Sequence, residues 1–370
     1  MLSTKNTCIF LASTYNYDTN TCYNEPENLW LDIVLVVDNS RNMTTDNLAI
    51  VTASIIDLFG ATSRIGTNYD DPQSTRVALV TYNGVATVLA DLNQFQSQRE
   101  LIDKTRQTLS TGVDIYESDL AQGLLAAEQV LQSGRSKDYR INYRQAVIIY
   151  TSVVQETTEI SEIAKRLKSD DVYIWITYMG TEYAGYLSEI STMRLDYSPG
   201  INEYLMQELT ETVNCFCKDS WSQYYSKDSY ESNCIYISTE QATWYEASTI
   251  CQSLDKFGRL LTEFDDEKRE IIRELFRTKT GNVPDYYIGL NYNHGNWYWQ
   301  QASGNSQVPL DDSFNAWNSG FPTSETENIV VANIVGNDGT VWWRNVDPSL
   351  KKFYVCETSK CSTQNYCPSK

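Results

Sequence analysis

Hydrophobic positions in the first half of the chain alternate between short continuous runs and runs with helical spacing. The continuous runs, each of strand length, cover residues 31–37, 76–82, 86–90, 145–150 and 172–177. Between them, apolar residues recur every three or four positions, in the segments 48–59, 101–109 and 120–131. This alternation predicts a doubly wound α/β sheet over residues 29–213, with a hairpin turn at Asn83-Gly84.

The second half of the chain has a different pattern, in which two amphipathic helices precede short strands and long irregular segments. The segment from Ser238 to Gln241 is typical of a capping box and predicts a helix through Trp244 and Cys251. A second helix is predicted over the apolar face that ends at Phe276. These elements predict an α+β domain over residues 214–357, with an N-terminal extension (1–28) and a tail (358–370) that both contain cysteine.

The nine cysteines indicate an oxidising compartment. None lies between Cys22 and Cys215, and the spacing from Cys215 to Cys217 is not that of a zinc site. Disulfides therefore explain the cysteines best, and we expect a secreted, extracellular protein. The first residues lack a hydrophobic signal region, as in either a cytosolic start or a mature secreted chain with an added Met, and the cysteines favour the second. Because the count is odd, at least one cysteine is unpaired or bridges to another chain, which allows oligomers.

Charge and composition exclude several classes of protein. The formal net charge of -19 disfavours nucleic acid as a partner, because phosphate binding requires a basic face. No apolar run approaches the roughly 18 residues of a membrane-spanning helix, so we expect no membrane span. The single histidine, His294, rules out His-based metal clusters and His-dependent triads. We therefore expect a protein that is not an enzyme.

The first predicted strand ends in Asp38-Asn39-Ser40-Arg41-Asn42, at the sheet edge where α/β folds bind ligands. This segment resembles the von Willebrand factor type A family, whose first strand ends in Asp-x-Ser-x-Ser, and the order of the following elements agrees. The resemblance implies a site for Mg²⁺ or Ca²⁺ in a degenerate form. Its residues would be Asp38, Ser40, Asn42 in place of a hydroxyl, Ser118 in place of Thr and Ser152 in place of a second Asp.

Two alternatives accompany that site. Asp114 or Asp119 can replace the missing carboxylate, or else Asp38 and Ser40 only cap the following helix and loop. We therefore predict no cofactor firmly. Asn42 also begins the only glycosylation sequon of the chain, Asn42-Met43-Thr44, so a glycan is expected at the rim of the site.

The second domain resembles the C-type lectin-like family in its long form. The motifs that carry the resemblance are Cys251 on the first helix, Tyr287 to Leu290, Trp297 to Trp299, Tyr354-Val-Cys356-Glu, and Cys217 with Trp221 and Cys234. The resemblance implies two disulfides, Cys251–Cys356 and Cys217–Cys234. The pairing of both domains in one chain resembles nematode-type C-type lectin proteins, for which a role in innate immunity or at surfaces is implied.

The usual calcium-dependent sugar site of the lectin family is altered here. Phe321-Pro322-Thr323 stands where the family has Glu-Pro-Asn or Gln-Pro-Asp, and Arg344-Asn345 stands where it has Asn-Asp. Ca²⁺ takes six to eight oxygen ligands. A guanidinium at this place offers no oxygen and repels the ion by its positive charge, so it opposes calcium binding. Glu325, Glu327 and Asp338 can form a different site. Trp317, with Trp297 and Phe321, is expected either in an exposed ligand-binding patch or in the core.

The remaining cysteines have more than one pairing. Because domain termini often lie close together, Cys215 is expected to pair with Cys22 or Cys8, while Cys361 and Cys367 close a small loop. A Cys8–Cys22 bridge that leaves Cys215 unpaired is the alternative.

These features predict an extracellular recognition or adhesion protein that binds a protein or glycan ligand without the usual calcium-dependent sugar site. One alternative is a structural role in matrix assembly, supported by the unpaired cysteine. A second alternative is a calcium-dependent carbohydrate-binding lectin.

Overall fold

The computed structural model describes residues 27, 29–60, 63–67, 74–110, 112–135, 140, 143–192, 195–197, 202–225, 232–311, 314–323, 330–336 and 340–361. The chain divides into two compact units between Cys215 and Phe216. The predicted extension over residues 1–28 lies outside the described residues except for Glu27, and the predicted tail is described only as far as Cys361.

The first unit is built on a five-stranded sheet with the strand order β3-β2-β1-β4-β5. Its strands are β1 (Asp32–Asp38), β2 (Arg76–Tyr82), β3 (Ala86–Ala90), β4 (Gln145–Thr151) and β5 (Val172–Tyr178). All neighbours are parallel except β2 and β3, which form the antiparallel hairpin around Asn83-Gly84. The predicted doubly wound sheet is confirmed.

Helices cover both faces of this sheet. They are α1 (Thr45–Leu58), α2 (Gln98–Thr108), α3 (Leu120–Gly134), α4 (Thr158–Ser169), α5 (Gly185–Ile190) and α6 (Glu203–Glu208), which continues as a π-helical turn over Leu209–Asn214. Val34 and Val36 join the core on one face, whereas Ile33 and Leu35 join the core on the other. Because both faces are covered, the strand is apolar at successive positions and not at alternate ones.

Three helices of the first unit were not predicted. The helix α4 carries Ile160, Ile163, Ala164 and Leu167 on its buried face, which is the three- and four-residue spacing of an amphipathic helix. The signal was therefore present in the sequence. The helices α5 and α6 have only six residues each, too short for a periodic pattern to mark.

The second unit combines two helices with a branched, mostly antiparallel sheet. Its elements are β6 (Ser222–Tyr225), β7 (Ser232–Ile237), α7 (Trp244–Leu254), β8 (Arg259–Leu260), α8 (Asp266–Thr280), β9 (Tyr286–Asn293), β10 (Asn296–Trp299), β11 (Val308–Pro309), β12 (Val330–Val335), β13 (Val341–Val346) and β14 (Phe353–Ser359). The main path runs β11-β10-β9-β14-β7-β6, and β12 pairs with β9 and β13. This arrangement confirms the predicted α+β lectin-like fold.

The predicted position of the capping box was wrong. The helix α7 begins at Trp244, and its capping box joins Thr243 to Glu246. Ser238 instead accepts a hydrogen bond from the backbone N–H of Tyr354 in β14, at 2.8 Å. A short polar motif fits either place in the sequence, and the contact with the neighbouring strand decides between them.

The structure contains the Cys217–Cys234 and Cys251–Cys356 disulfides that the family resemblance implied. Cys215 is also disulfide-bonded and is fully buried, so the alternative in which Cys215 is unpaired is wrong. Its predicted partners, Cys22 and Cys8, lie outside the described residues, and so does Cys367, the predicted partner of Cys361. Those pairings stay predictions.

Candidate functional site

In the first unit, polar side chains converge on Asp38, the last residue of β1. The backbone N–H of Ser40 donates to Oδ1 of Asp38 at 2.9 Å. The hydroxyl groups of Ser118 and Ser152 both donate to Oδ2, at 3.2 and 3.1 Å. Because β1 and β4 are parallel neighbours, the segments that follow them meet at the same edge of the sheet. The structure thus brings together four of the five residues predicted for the metal site.

The side chain of the fifth predicted residue, Asn42, bonds to a different partner. Its side chain is exposed, and its amide nitrogen donates to the backbone carbonyl of Tyr116 at 3.2 Å. The neighbouring Arg41 forms an exposed ion pair with Asp114 at 3.0 Å, and its guanidinium lies 4.5 Å from the centre of the Tyr116 ring.

The carboxylates considered as replacements for the missing ligand have other partners. Asp114 is held by Arg41, and Asp119 caps the helix α3 by accepting from the backbone N–H of Ala121. The expectation that Asp38 or Ser40 caps the first helix was also wrong, because the N-cap of α1 is Thr44. Asp38 does cap its own loop through the N–H of Ser40.

The donor set around Asp38 consists of oxygen atoms, the type that Mg²⁺ and Ca²⁺ prefer. The hydroxyl of Ser40 is buried and has no hydrogen-bond partner within the described part of the chain, so it is available as a ligand. Only one carboxylate is present, however, and it already accepts three hydrogen bonds. Among the described residues, no group of three or more His, Cys, Asp or Glu side chains is arranged to hold a metal ion. The set therefore fits a divalent cation poorly.

The sequon lies on an accessible surface at the same edge of the sheet. The side chains of Asn42 and Thr44 are exposed. Thr44 has a second role, since its hydroxyl accepts a hydrogen bond from the backbone N–H of Asn47 and so caps α1.

In the second unit, the segment from Phe321 to Thr323, here called the long loop, contacts the end of β13. The guanidinium of Arg344 lies 5.3 Å from the centre of the Phe321 ring. The backbone N–H of Thr323 donates to the side-chain oxygen of Asn345 at 2.9 Å. Between them, Pro322 follows a cis peptide bond. The predicted loop residues Glu325, Glu327 and Asp338 lie outside the described residues.

The predicted aromatic patch is partly core. Trp317 packs edge-on against Trp297 and Trp343, with ring centres 4.9 and 5.7 Å apart. Trp343 is fully buried, whereas Trp297, Trp317 and Phe321 are half-buried. Of the two expectations for Trp317, packing against the core therefore describes the residue better.

Two buried acidic groups of the second unit were missed in the sequence. Glu263 accepts hydrogen bonds from the indole N–H of Trp343 at 2.7 Å and from the amide of Asn333 at 2.6 Å. Burial raises the pKa of Glu263, although these donors oppose the shift. The hydrogen bond from Trp343 to Glu263 fixes the strand just before Arg344 and Asn345, so Glu263 helps to position the altered site.

The other missed group is Glu357, which binds the fully buried ammonium of Lys268 at 2.8 Å. Arg259 and the hydroxyl of Thr262 also contact its carboxylate. No local pattern marks these residues, because a lysine and a glutamate in a sequence usually belong to a solvated surface.

Comparison with known proteins agrees with both halves of the structure. The model of the von Willebrand factor type A domain matches residues 32–206, and that of the Lectin C-type domain matches residues 240–358. The chain therefore belongs to the C-type lectin family and carries a von Willebrand factor type A domain ahead of its lectin domain.

Individual relatives include one that aligns along nearly the whole chain. C-type lectin domain-containing protein 160 of Caenorhabditis elegans is 21% identical over 95% of this chain, which spans 56% of that relative. Natural killer cells antigen CD94 of Pongo pygmaeus is 30% identical over 37% of this chain and 72% of its own length. A solved structure of proximal thread matrix protein 1 from the mussel byssus, with a zinc occupied MIDAS motif, has 20% identity and a TM-score of 0.38, covering 49% of this chain and 44% of its own.

The two domain types support an extracellular recognition or adhesion role. The helices in the described part of the chain are all too short or too polar to cross a membrane.

Proposed function

We propose that this protein is a secreted, non-catalytic recognition protein whose lectin domain binds a protein or glycan ligand without calcium at the long-loop position. The contact of Arg344 with Phe321 carries the proposal. The family resemblance implies that this positive charge and this aromatic ring stand where calcium-binding members have oxygen ligands.

Electrostatics support a site that does not use calcium. The guanidinium of Arg344 is positively charged, so it repels a divalent cation at short range. The side-chain oxygen of Asn345 already accepts the N–H of Thr323, which makes it a weaker ligand for an ion. Ligand recognition by this domain is therefore expected to persist when calcium is removed.

The first domain is proposed to recognise its ligand without a tightly held ion as well. The only carboxylate of the cluster described above is that of Asp38, and it accepts hydrogen bonds from Ser40, Ser118 and Ser152. If a cation binds, Asp38 and the three serine hydroxyls are the residues that would hold it, and it would offer a coordination position to an acidic partner. One carboxylate against two positive charges makes that binding weak.

The absence of a catalytic role is part of the proposal. His294, the only histidine of the sequence, lies in the turn between β9 and β10. Glu263 and Glu357, whose pKa values are altered, are buried among structural partners. Glu246 and Asp347 are exposed, and their pKa values are lowered by hydrogen bonds from Thr243 and Ser349. A binding role is the one that these features support.

Thermal unfolding of the full chain in EDTA, in excess Ca²⁺ and in excess Mg²⁺ tests the proposal. An ion that binds the native state at 100 times its Kd adds about 2.7 kcal/mol of stability, so a saturating ion would be plainly visible. We expect the same unfolding temperature in all three conditions. In parallel, the protein is applied to arrays of immobilised glycans and extracellular proteins in Ca²⁺ and in EDTA. We expect it to bind the same array positions in both conditions. Loss of every bound spot in EDTA, or a clear Ca²⁺ shift, would contradict the proposal.

A further inference from the structure

A cavity of about 230 Å³ lies in the second unit, between the start of α7, the end of β9 and the residue that follows β10. It shares no residue with the long-loop cluster of Phe321 to Thr323, Arg344 and Asn345. Among the described residues that line it, none carries a charge. Its polar lining consists of Ser248, Asn291, Asn293, Gln300 and Gln307.

Two carboxamide groups of this lining, those of Gln300 and Asn291, are held in place by hydrogen bonds, and one of them has an unpartnered oxygen. The amide nitrogen of Gln300 donates to the hydroxyl of Ser248. Its carbonyl oxygen is buried and accepts no hydrogen bond from any described residue. Asn291 donates through its nitrogen to the backbone carbonyl of Tyr298 at 3.1 Å, which fixes its orientation. A buried acceptor without a donor is unfavourable, so a ligand hydroxyl that donates to the carbonyl oxygen of Gln300 is favoured.

Two aromatic side chains and Val330 complete the cavity. Trp244 is buried, and its indole N–H donates to the backbone carbonyl of Ile288 at 2.9 Å, so it offers the ligand only its ring. Tyr245 packs edge-on against it, with ring centres 5.3 Å apart, and remains 51% exposed. An aromatic ring that is half in water and half against protein is suited to bind an amphipathic ligand.

We propose that this cavity binds a single neutral pyranose ring, either as a free sugar or as a unit of a glycan. A sugar hydroxyl both donates and accepts hydrogen bonds, as do the side chains of Asn, Gln and Ser. The C–H face of the ring packs on an aromatic side chain, for which Tyr245 is placed. The volume is below the roughly 300 to 1,000 Å³ of sites for larger ligands, which suits one ring.

A peptide is the other neutral ligand with matching polar groups, and the sheet disfavours it. Extended peptides bind by adding a strand to an open sheet edge. The strand β9, which supplies Asn291 and Asn293, already pairs with β10, β12 and β14. The inference therefore commits to a sugar. It rests on the proposed calcium-independent recognition, and it adds a site and a ligand class to it.

Binding in EDTA tests the inference with the full chain. The probes are the methyl glycosides of glucose, galactose, mannose and N-acetylglucosamine, followed by neutral oligosaccharides that contain the bound unit. Uncharged acetylated tripeptide amides are tested beside them. Saturation-transfer NMR detects binding, and titration gives the affinity. The variants are Gln300→Met, which keeps the shape but removes both polar groups, and Tyr245→Ala. Their controls are Tyr245→Phe, which keeps the ring, and Asn305→Ala, which alters an exposed residue outside the cavity.

We expect at least one glycoside to bind in EDTA, with affinity about tenfold or more weaker in Gln300→Met and Tyr245→Ala. Both controls should stay within about twofold. If Gln300→Met unfolds, the comparison of Tyr245→Ala with Tyr245→Phe still tests the inference, because Tyr245 is exposed. The inference is wrong if no sugar binds, if both cavity variants bind normally, or if only uncharged acetylated tripeptide amides bind. If sugars bind in EDTA with an affinity that the cavity substitutions do not change, the inference is wrong but the proposed function is still supported. If sugar binding requires Ca²⁺, the proposed function is itself contradicted.

Discussion

The hydroxyl of Ser152 donates a hydrogen bond to Oδ2 of Asp38 across 3.1 Å, although the two residues are 114 positions apart in the sequence. The family resemblance implies a second carboxylate at position 152. The hydroxyl instead satisfies the carboxylate that remains. Asp38 is therefore the only carboxylate among the four residues that meet here, and both of its oxygens accept hydrogen bonds from the chain itself.

Restoring the second carboxylate with Ser152→Asp should create magnesium binding. In EDTA, two carboxylates close together repel each other, so the first domain of the variant should unfold at a lower temperature than that of the wild type. Excess Mg²⁺ should reverse the loss, and at 100 times the Kd it adds about 2.7 kcal/mol. Differential scanning calorimetry with and without Mg²⁺ measures both changes.

The control for that change is Ser152→Asn, which has a similar size without the charge. It should show no response to Mg²⁺. If the wild-type protein responds to Mg²⁺ as strongly as Ser152→Asp does, the charge at position 152 does not limit ion binding and the site has been misjudged.

The contact of Arg344 with Phe321 should stabilise the long-loop site by a measurable coupling energy. Cation–π pairs that are partly exposed contribute about 0.5 to 1 kcal/mol. A double-mutant cycle with Arg344→Gln and Phe321→Leu, measured by urea unfolding, isolates this energy from the effects of each change alone. Additive single effects would show that the two side chains are merely close. None of the three variants should acquire a response to Ca²⁺.

The buried pair of Lys268 and Glu357 should make the lectin domain sensitive to acid. Burial alone would raise the pKa of Glu357, but the charges of Arg259 and Lys268 outweigh it and lower the pKa to about 2. The unfolded chain binds this proton near pH 4.5, so the stabilisation is complete above that pH and is lost as the pH falls toward about 2. A difference of this size corresponds to roughly 3 kcal/mol. Urea unfolding of the lectin domain at a series of pH values measures it.

Glu357→Gln separates this effect from the opposite effect of Glu263. Because the pKa of Glu263 is raised by burial, its contribution to stability increases when the pH falls. The variant leaves Lys268 buried without its charged partner and should lose about 3 to 5 kcal/mol at neutral pH. Its stability should then change much less between pH 4.5 and 2. A profile as steep as that of the wild type would assign the acid sensitivity to other carboxylates.

Glycosylation at Asn42 and capping of α1 should be separable through Thr44, which serves both. After expression in eukaryotic secretory cells, the wild type and Thr44→Ser should carry a glycan that peptide N-glycosidase removes, whereas Asn42→Gln and Thr44→Ala should not. Thr44→Ala should also lose about 1 kcal/mol of stability, because it removes the helix cap. Mass spectrometry and thermal unfolding of the deglycosylated proteins measure the two effects. If the wild-type protein carries no glycan, the prediction that Asn42 is glycosylated is wrong.

The apolar patterns alone were sufficient to predict the elements of the first unit that form its sheet. A strand buried on both faces must be apolar at successive positions, and β1 meets this condition from Ile33 to Val37. The hairpin at Asn83-Gly84 was equally readable, because few dipeptides adopt that turn. Such features depend on neighbouring residues, so the local sequence contains them.

Family resemblance, and not local pattern, predicted the contacts between distant residues. Ser118 and Ser152 reach Asp38 only because the strand order brings β1 beside β4. The Cys251–Cys356 disulfide likewise joins a helix to a strand 105 residues later. Nothing in the spacing of these residues indicates their proximity.

Other features were decided only by the tertiary structure. Ser238 fits a capping box by its sequence, yet the strand β14 takes its hydroxyl and leaves the cap to Thr243. Lys268 is buried because Glu357 lies opposite it, and the carbonyl of Gln300 faces a cavity because α7 and β9 enclose it. The sequence by itself determined which segments are buried, since burial of apolar surface depends on composition and period. The fold decided which polar groups meet, since their desolvation is tolerated only where distant partners come within hydrogen-bond distance.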